Sequence, residues 1–323
     1  MNATVLVIGG TGAMGRPVVR ALLSEPDRKV RVLTRDPDGR HAAALTQAGD
    51  GRVKAVRGDL DDEASLAAAM SGADAVFCNT DFFSAGSPQH EYEQGLRALR
   101  TARAAGIGHF VWSSLDDAGA LTDGRLPVPH YDAKAAVASW ISLMRSEEFM
   151  RQDANGWFSR NVTILVTGPY FENLQAGLVQ AASLTDGRQG QRFNIAIGSG
   201  RWPMIALDDI AWFARHLLDH PDEWRGRTLR VLSEALTGPE IALAFQRVTG
   251  IAAEFHDVPL DSIRAMPAIG HDLANMFQFF QEYDLIGRER DITWLRRMHP
   301  GLMRFEDWLR STGWRGAATD KAA

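Results

Sequence analysis

Short apolar runs alternate with longer amphipathic segments along the first half of the chain. The apolar runs predict six β-strands, over residues 4–8, 30–34, 53–56, 75–79, 109–113 and 162–166. Between them, apolar positions recur at helical spacing over residues 17–23, 63–70, 91–105 and 131–144. Mostly apolar strands joined by helices predict a parallel sheet covered on both faces, because each parallel crossover needs an element that carries the chain back. The expected fold class is therefore α/β with a doubly wound parallel sheet.

The second half of the chain has fewer β-rich runs and becomes mainly helical toward its end. Candidate strands lie at residues 193–197, 228–232 and 254–257, and we expect the first two to join the main sheet. We predict a main domain over residues 1–168 and a smaller, mainly helical lobe for a substrate or partner over residues 169–190 and 233–315. The polar stretch 146–160 contains Asn155-Gly156, which predicts an exposed loop before the sixth strand.

Composition and charge narrow the class of protein. With 323 residues, 45% of them hydrophobic and 23% charged, the chain resembles an ordinary globular protein that buries a sizeable core. No continuous apolar stretch is long enough to span a membrane, and a formal net charge of −5 gives no overall attraction to nucleic acid. A single cysteine, Cys78, forms neither an intrachain disulfide nor a cysteine metal cage. No basic region precedes the first apolar run, so we expect a cytoplasmic protein without a metal site.

A glycine-rich loop directly follows the first predicted strand. Its sequence is Gly9-Gly10-Thr11-Gly12-Ala13-Met14-Gly15, which contains the spacing G-x-G-x-x-G from Gly10. Glycines at these positions permit a tight turn and let backbone N–H groups approach a pyrophosphate, whose charge is favoured at the start of the next helix. Because an apolar strand precedes the loop and an amphipathic helix follows it, the pattern predicts a dinucleotide-binding site.

The residue after the second strand bears on the choice of dinucleotide. An NAD site usually carries an acidic residue there, which accepts hydrogen bonds from the ribose hydroxyls. This chain has Arg35 instead, and a guanidinium pairs with the 2′-phosphate of NADP. Asp36 is the alternative, because its carboxylate could face the ribose. The sequence favours NADP(H) over NAD(H).

Two further strand ends supply candidate cofactor contacts. Asp59 and Leu60 follow the third strand, where they could meet the edge and face of the adenine, although Asp59 could instead cap the next helix. After the fourth strand, the chain places four residues at the carboxyl edge of the sheet, where ligands of open α/β folds bind. These residues are Asn79, Thr80, Asp81 and Phe82. Phe82 and its neighbour Phe83 could shield a nicotinamide or belong to the core.

Together these segments resemble a known family. The segments that carry the resemblance are Gly9-Gly10-Thr11-Gly12-Ala13, Arg35, Ser113, His130-x-x-x-Lys134, Tyr170-Phe171-Glu172-Asn173 and Asp272-Leu273-Ala274-Asn275-Met276-Phe277. From about the first strand to Trp308, the chain resembles the NmrA-like family, an atypical branch of the short-chain dehydrogenase/reductases, and within it the HSCARG type of cytosolic NADPH sensor. The resemblance implies a Rossmann-type fold. It also implies that the dinucleotide touches the residues equivalent to Gly9 to Met14, Arg35, Asp59, Lys134 and Tyr170 to Asn173.

The sequence departs from the catalytic branch of these enzymes at one position. Catalytic short-chain reductases use Tyr-x-x-x-Lys, in which the lysine activates the tyrosine and holds the nicotinamide ribose, while a serine orients the substrate. Here His130 stands at the tyrosine position, whereas Lys134 and Ser113 remain. His130 could donate a proton, because histidine titrates near physiological pH. Tyr131 is a second candidate donor, and the alternative is that His130 caps the helix and Tyr131 lies in the core.

Three functions follow from these features. In the first, NADP(H) is a signal that changes the surface shown to a protein partner, and a homodimer is a candidate assembly. In the second, the protein is an NADPH-dependent reductase of a small carbonyl, imine or enone substrate, with Lys134, Ser113 and either His130 or Tyr131 as candidate catalytic groups. In the third, the protein is a scaffold that associates with DNA, which the charge balance disfavours. The sequence favours the first.

Overall fold

The computed structural model describes residues 3–316 of the chain. Its strands are β1 (Thr4–Ile8), β2 (Lys29–Thr34), β3 (Val53–Arg57), β4 (Ala75–Cys78), β5 (His109–Ser114), β6 (Val162–Val166), β7 (Val179–Ser183), β8 (Gln189–Ile195), β9 (Trp202–Met204), β10 (Thr228–Arg230), β11 (Glu234–Leu236) and β12 (Ala253–Asp257). Its helices are α1 (Gly15–Leu22), α2 (Arg40–Ala48), α3 (Glu63–Met70), α4 (Phe82–Ala85), α5 (Pro88–Ala104), α6 (Ala118–Leu121), α7 (Pro129–Met150), α8 (Trp157–Asn161), α9 (Leu207–Asp219), α10 (Pro221–Trp224), α11 (Gly238–Thr249), α12 (Leu260–Arg264), α13 (Gly270–Glu282), α14 (Leu285–Glu289), α15 (Ile292–Met298) and α16 (Phe305–Thr312). A 3₁₀-helix covers Phe171–Gln175.

A seven-stranded sheet forms the main layer, in the order β10-β6-β5-β4-β1-β2-β3. The five pairings that link β6 through β5, β4, β1 and β2 to β3 are parallel. The strand order reverses at β1, which lies between β2 and β4, as in Rossmann-type sheets. This architecture confirms the predicted doubly wound α/β fold.

The central strands β1, β5 and β6 are almost wholly buried because both faces of the sheet are covered there. Leu6 and Ile8 of β1 belong to a buried cluster that includes Leu66 of α3, Leu99 of α5 and Val137 of α7. The intervening residues of β1, which point to the opposite face by strand alternation, are equally buried. The carboxyl ends of the strands consequently remain as the edge on which a ligand site is expected.

One expectation from the sequence is wrong, and a second is right only in part. The strand expected near residues 193–197 does not join the main sheet, because β8 pairs antiparallel with β7 across a tight turn and parallel with β12 on its other edge. The strand expected near residues 228–232 is β10, at one edge of the main sheet. The exposed loop expected over residues 146–160 is partly helical, since α7 continues to Met150 and α8 follows. Glu148 stabilises this turn by accepting hydrogen bonds from the backbone N–H groups of Phe158 and Ser159, each at 2.8 Å.

The chain divides into two compact units, neither of which is continuous in sequence. Within the described residues, the first unit comprises 3–117, 129–167 and 210–229, and the second comprises 118–128, 168–209 and 230–316. The first unit contains the glycine-rich loop. The second contains the sheet β7-β8-β12, the pair β9-β11 and the helices from α11 onward. Across residues 3–316, no helix has both the length and the apolar character that crossing a membrane requires.

Candidate functional site

The glycine-rich loop connects β1 to α1 with no room for side chains at its two ends. Gly9 has a φ of +78°, and a Cβ there would collide with the carbonyl oxygen of Asn79. A Cβ on Gly15 would collide with the carbonyl oxygen of Gly9. The backbone N–H of Gly12 donates to that same oxygen at 3.0 Å, which closes the turn. Glycine is therefore required at both ends of the loop.

The start of α1 has the features of an anion site. Met14 occupies the N-cap position, its side chain makes no capping hydrogen bond to the helix, and the first turn contains no acidic residue. The first N–H groups of a helix need acceptors and carry a partial positive charge. Because the glycine loop leaves the backbone accessible here, these residues fit the pyrophosphate of a dinucleotide.

Ser113 and Met14 connect the loop to the centre of the sheet. Ser113 lies on β5, is 1% exposed, and donates its hydroxyl to the sulfur of Met14 at 3.4 Å. Met14 is itself buried. The serine that the family pattern assigns to substrate orientation is thus engaged with the cofactor loop.

Arginines surround the end of β2. Arg35 is exposed, and Arg57 donates to its carbonyl oxygen at 2.6 Å. Arg16, on the first turn of α1, contacts the ring of His41 at 3.2 Å. Burial, followed by the nearby charges of Arg20 and Arg40, lowers the pKa of Arg16. The charges that lower the pKa of Arg16 form a locally positive region, which an anion would stabilise.

The residues after β3 adopt a local turn. The carboxylate of Asp59 accepts a hydrogen bond from the backbone N–H of Asp61 at 3.0 Å. The backbone N–H of Asp59 donates to the hydroxyl of Ser65. The N-cap of α3 is Asp62, whose side chain accepts from the first turn. The alternative role of Asp59 as helix cap is therefore wrong. Leu60 packs against the buried cluster under the sheet.

The residues after β4 have distinct environments. Asn79 borders the glycine loop through its carbonyl oxygen. Asp81 caps α4, with its carboxylate accepting from the N–H of Phe83 and the hydroxyl of Ser84. Thr80 is buried. Phe82 lies with its ring 6.0 Å from that of His130, and Phe83, which is 57% exposed, lies 5.9 Å from it.

Lys134 is engaged in a buried network. Its ammonium donates to the carbonyl oxygen and to the hydroxyl of Thr80, each at 2.7 Å, and lies 2.8 Å from the carboxylate of Glu91. The Thr80 hydroxyl donates to the same Glu91 oxygen at 2.6 Å. The Lys134 ammonium also lies 5.8 Å from the centre of the Trp112 ring. Since an ammonium has three protons, these three acceptors use all of them.

The two candidate proton donors are packed among rings. His130 meets Tyr131 edge-on, with ring centres 4.8 Å apart, and Tyr131 is 2% exposed.

The charges of Lys134 and Glu91 act on the buried thiol of Cys78. Burial raises the pKa of the Cys78 thiol to about 12, while the charge of Lys134 lowers it and that of Glu91 raises it. A thiol in this state is no reactive redox centre at neutral pH.

Tyr170, Phe171, Glu172 and Asn173 belong to the second unit. Phe171 is fully buried, with its ring 5.4 Å from that of Phe305 and 5.8 Å from that of Trp308. The Glu172 carboxylate accepts from the indole N–H of Trp308 at 2.9 Å and from the N–H of Leu207. The side chains of Phe171 and Glu172 therefore stabilise the second unit itself. Contact of this segment with the dinucleotide stays a prediction.

The structure brings the remaining predicted site residues into the first unit, at the carboxyl edge of the sheet and the helices beside it. Glu91 was missed by the sequence analysis. Its signal is an acidic residue on the buried face of α5 that also carries Gly95, Ala98 and Leu99. Among residues 3–316, no group of three or more His, Cys, Asp or Glu side chains is arranged to hold a metal ion.

Comparisons with known proteins agree with this fold. The oxidoreductase hkm9 of Aspergillus hancockii, an NmrA-like family domain-containing protein, is 28% identical over 273 residues, covering 82% of this chain and 78% of that protein. NmrA, a negative transcriptional regulator, shares the fold in its complex with NADP, with a TM-score of 0.71 at 20% identity over 95% of this chain and 94% of that one. Its complex with NAD gives a TM-score of 0.71 at 19% identity, over 95% and 94%. The model of the NmrA-like family matches residues 1–309, and the chain therefore belongs to the NmrA-like family.

Proposed function

We propose that this protein binds NADP(H) at the glycine-rich loop and uses the bound dinucleotide as a regulatory signal. The observation that carries the proposal is the uncapped start of α1 beside a loop whose glycines, Gly9 and Gly15, admit no side chain. Backbone N–H groups in that arrangement bind phosphate. NmrA, which has the same fold, is a regulator solved with both NAD and NADP.

The charges around β2 support NADP(H) over NAD(H). Arg35 is exposed at the strand end, with Arg16, Arg20 and Arg40 contributing positive charge on α1 and α2. Asp36 is the alternative partner for the ribose. Its carboxylate lies close to Gly39 at the start of α2, since a Cβ added to Gly39 would be 2.8 Å from a carboxylate oxygen. Arginine pairs with a phosphate through two parallel hydrogen bonds, which a ribose hydroxyl cannot match.

The candidate catalytic groups support a signal over hydride transfer. Ser113 donates to Met14, and Tyr131 is buried. Histidine replaces the tyrosine that a catalytic short-chain reductase uses as its acid. The same loss is part of the resemblance to HSCARG-type sensors, which is the finer assignment that we propose.

Calorimetry with NADPH and NADH tests the cofactor assignment. We expect NADPH to bind at least about tenfold more tightly, because charge-assisted hydrogen bonds contribute roughly 1.5–3 kcal/mol each. Arg35→Gln should remove most of that preference without changing NADH binding. Arg188→Gln, which removes an exposed arginine paired with Asp186 in the second unit, is the matched control. Equal affinities for the two dinucleotides would reject the role of Arg35.

A signalling role requires more of the protein than cofactor binding. The protein must present two conformations or assemblies with different affinity for the dinucleotide, because a ligand that binds both equally shifts neither. We therefore expect saturating NADPH, compared with NADP⁺, to change the molar mass by light scattering or the pattern of amide exchange. Identical mass and exchange in both states would exclude the switch while leaving cofactor binding intact.

The second candidate function is an NADPH-dependent reductase of a small carbonyl, imine or enone. It is favoured by the retained Lys134 and by the name of the relative from Aspergillus hancockii, which is an oxidoreductase. In this reaction the dinucleotide supplies the hydride, and the protein positions the acceptor and delivers a proton. NADPH oxidation across a panel of such acceptors measures it directly, and turnover that survives Lys134→Ala would exclude that lysine from the reaction.

A further inference from the structure

A buried charge pair joins α5 to α7. Glu91 of α5 is 0% exposed and Lys134 of α7 is 8% exposed, with 2.8 Å between carboxylate and ammonium. Both side chains meet at Thr80, immediately after β4. Burying two ions is costly, and a well-packed apolar pair of similar volume is often at least as stable. Stability alone therefore does not account for the pair.

The two oxygens of Glu91 differ in their partners. One accepts from Lys134 and from Thr80, whereas the other, Oε2, is buried without a hydrogen-bond partner within the described part of the chain. An unsatisfied buried acceptor is unfavourable. The carboxylate therefore makes its hydrogen bonds through one oxygen, and it lies on the buried face of α5.

Lys134 makes one contact with a charged group, Glu91, and two hydrogen bonds to a neutral residue, Thr80. A ligand could replace the two hydrogen bonds to Thr80. The contact with Glu91 joins two charged groups inside the protein. The other two protons are directed at one residue, Thr80, at the carboxyl edge of the sheet where ligands of this fold bind. The two hydroxyls of a ribose offer the same kind of acceptor as the Thr80 hydroxyl and carbonyl oxygens.

We propose that Glu91 is a positioning residue for the nicotinamide half of the dinucleotide. It keeps one N–H of Lys134 fixed, so that the other two turn from Thr80 to the nicotinamide ribose when the ligand binds. This inference rests on the proposed binding of NADP(H). It assigns a role to a residue outside the glycine loop and outside the His-x-x-x-Lys segment.

Two ligands separate positioning from a merely structural role. NADPH carries the nicotinamide ribose, whereas 2′,5′-ADP carries only the adenosine half with its 2′-phosphate. We expect Glu91→Gln to weaken NADPH by roughly tenfold to a hundredfold, the range for a hydrogen bond to a charged group, and to leave 2′,5′-ADP within about twofold. Glu93→Gln, which removes an exposed carboxylate from the same helix, should change neither affinity.

A double variant controls for loss of folding. Glu91→Gln leaves the Lys134 ammonium without its buried counter-ion, which destabilises the protein. Glu91→Gln combined with Lys134→Met removes both charges, so the fold is retained more readily. If Glu91 acts through Lys134, the double variant should bind NADPH no more weakly than Lys134→Met alone. Additive losses would overturn the proposal.

The outcomes distinguish this inference from the proposed function. Wild-type protein that binds neither ligand would reject both. Wild-type protein that binds both ligands, with Glu91→Gln binding NADPH equally well or more tightly, would reject the positioning role alone and leave cofactor binding intact. Equal weakening of both ligands in folded Glu91→Gln protein would reduce Glu91 to a structural residue.

Discussion

Glu172 carries a carboxylate in a position where burial disfavours its charge. Burial raises its pKa to about 7, against hydrogen bonds from Trp308 and Leu207 that lower it. The side chain caps the start of α9 and contacts the indole of Trp308, all within the second unit. Above neutral pH the second unit must therefore hold a buried charge, whereas in mildly acidic solution it holds a neutral acid.

This raised pKa predicts a stability that falls as pH rises. The unfolded chain releases the Glu172 proton near the ordinary value of 4.5, and the folded chain releases it near 7. The proton is therefore bound only by the folded state between these values, so stability is lost as pH rises through about 7, by up to about 3 kcal/mol. Glu172→Gln should flatten this slope while keeping an oxygen acceptor for Trp308. Urea unfolding at pH 5 to 8, followed by tryptophan fluorescence, measures it.

The control is another carboxylate of the second unit. Glu234 accepts from the backbone N–H of Phe305 at 2.9 Å, and Glu234→Gln should retain the wild-type slope. A slope that persists in Glu172→Gln would place the titrating group elsewhere.

The role of a single residue could be predicted from the sequence where its partners are close to it in the chain. The glycine loop could be recognised because its spacing and the flanking strand and helix are contiguous in sequence. Glu91 could not, because its partners Thr80 and Lys134 lie after β4 and on α7 and meet it only after the helices pack on the sheet. Cys78 was identified as a lone cysteine, but its inert state follows from burial that the sequence does not reveal.

At the scale of elements, the short helix α4 depends on one histidine. His90 of α5 places Nδ1 2.8 Å from the carbonyl oxygen of Ala85 and Nε2 2.8 Å from the carboxylate of Asp61. Both partners are acceptors, so both contacts are hydrogen bonds only when both ring nitrogens carry a proton. The charged ring therefore ties α4, with Phe82 and Phe83, to the start of α3.

The tether should weaken as the solution becomes alkaline. The hydrogen bond to Asp61, then that to Ala85, raises the pKa of His90, and Glu93 adds to the shift. A raised folded-state pKa gives stabilisation that is complete below the ordinary value and is lost as pH rises through the raised one. We expect amide exchange over residues 82–86, corrected for intrinsic rates, to accelerate severalfold across that range.

The matched variants are His90→Gln and His256→Gln. Because glutamine carries no titrating ring, His90→Gln should show the same exchange over residues 82–86 at every pH. His256 is an exposed histidine on β12 in the second unit, and its replacement should preserve the wild-type pH response. A pH response in His90→Gln equal to that of wild type would contradict the tether.

Elements whose character is set by their own periodicity were predicted well. β1 and β6 coincide with their predicted bounds, and α3 does as well. The strand near residues 193–197 was assigned to the wrong sheet, because alternation indicates a strand but not its partner. α7 extends beyond its predicted end because Glu148, polar in sequence, is buried by two backbone hydrogen bonds from the following segment.

At the scale of the whole molecule, sequence order and compact units do not coincide. Residues 118–128 belong to the second unit, although residues on both sides of them belong to the first. Residues 210–229, which include most of α9 and the start of β10, return to the first unit. The predicted boundary near residue 168 therefore marks the end of β6 and its following turn, while the main sheet still needs β10 as its edge strand.

Amide exchange with and without NADPH measures which residues the dinucleotide contacts. At a hundredfold excess over Kd, ligand binding should slow exchange of the contacted amides by up to about a hundredfold. We expect protection at residues 9–15 in the first unit and, if the family resemblance extends to Tyr170 and Asn173, also at residues 170–175 in the second. With 2′,5′-ADP, protection at residues 9–15 should persist, because that ligand retains the adenosine half. Residues 189–195 of β8 serve as an internal control that should not respond. Protection confined to the first unit would make the predicted contact of residues 170–173 wrong, whereas the assignment of the glycine loop would stand.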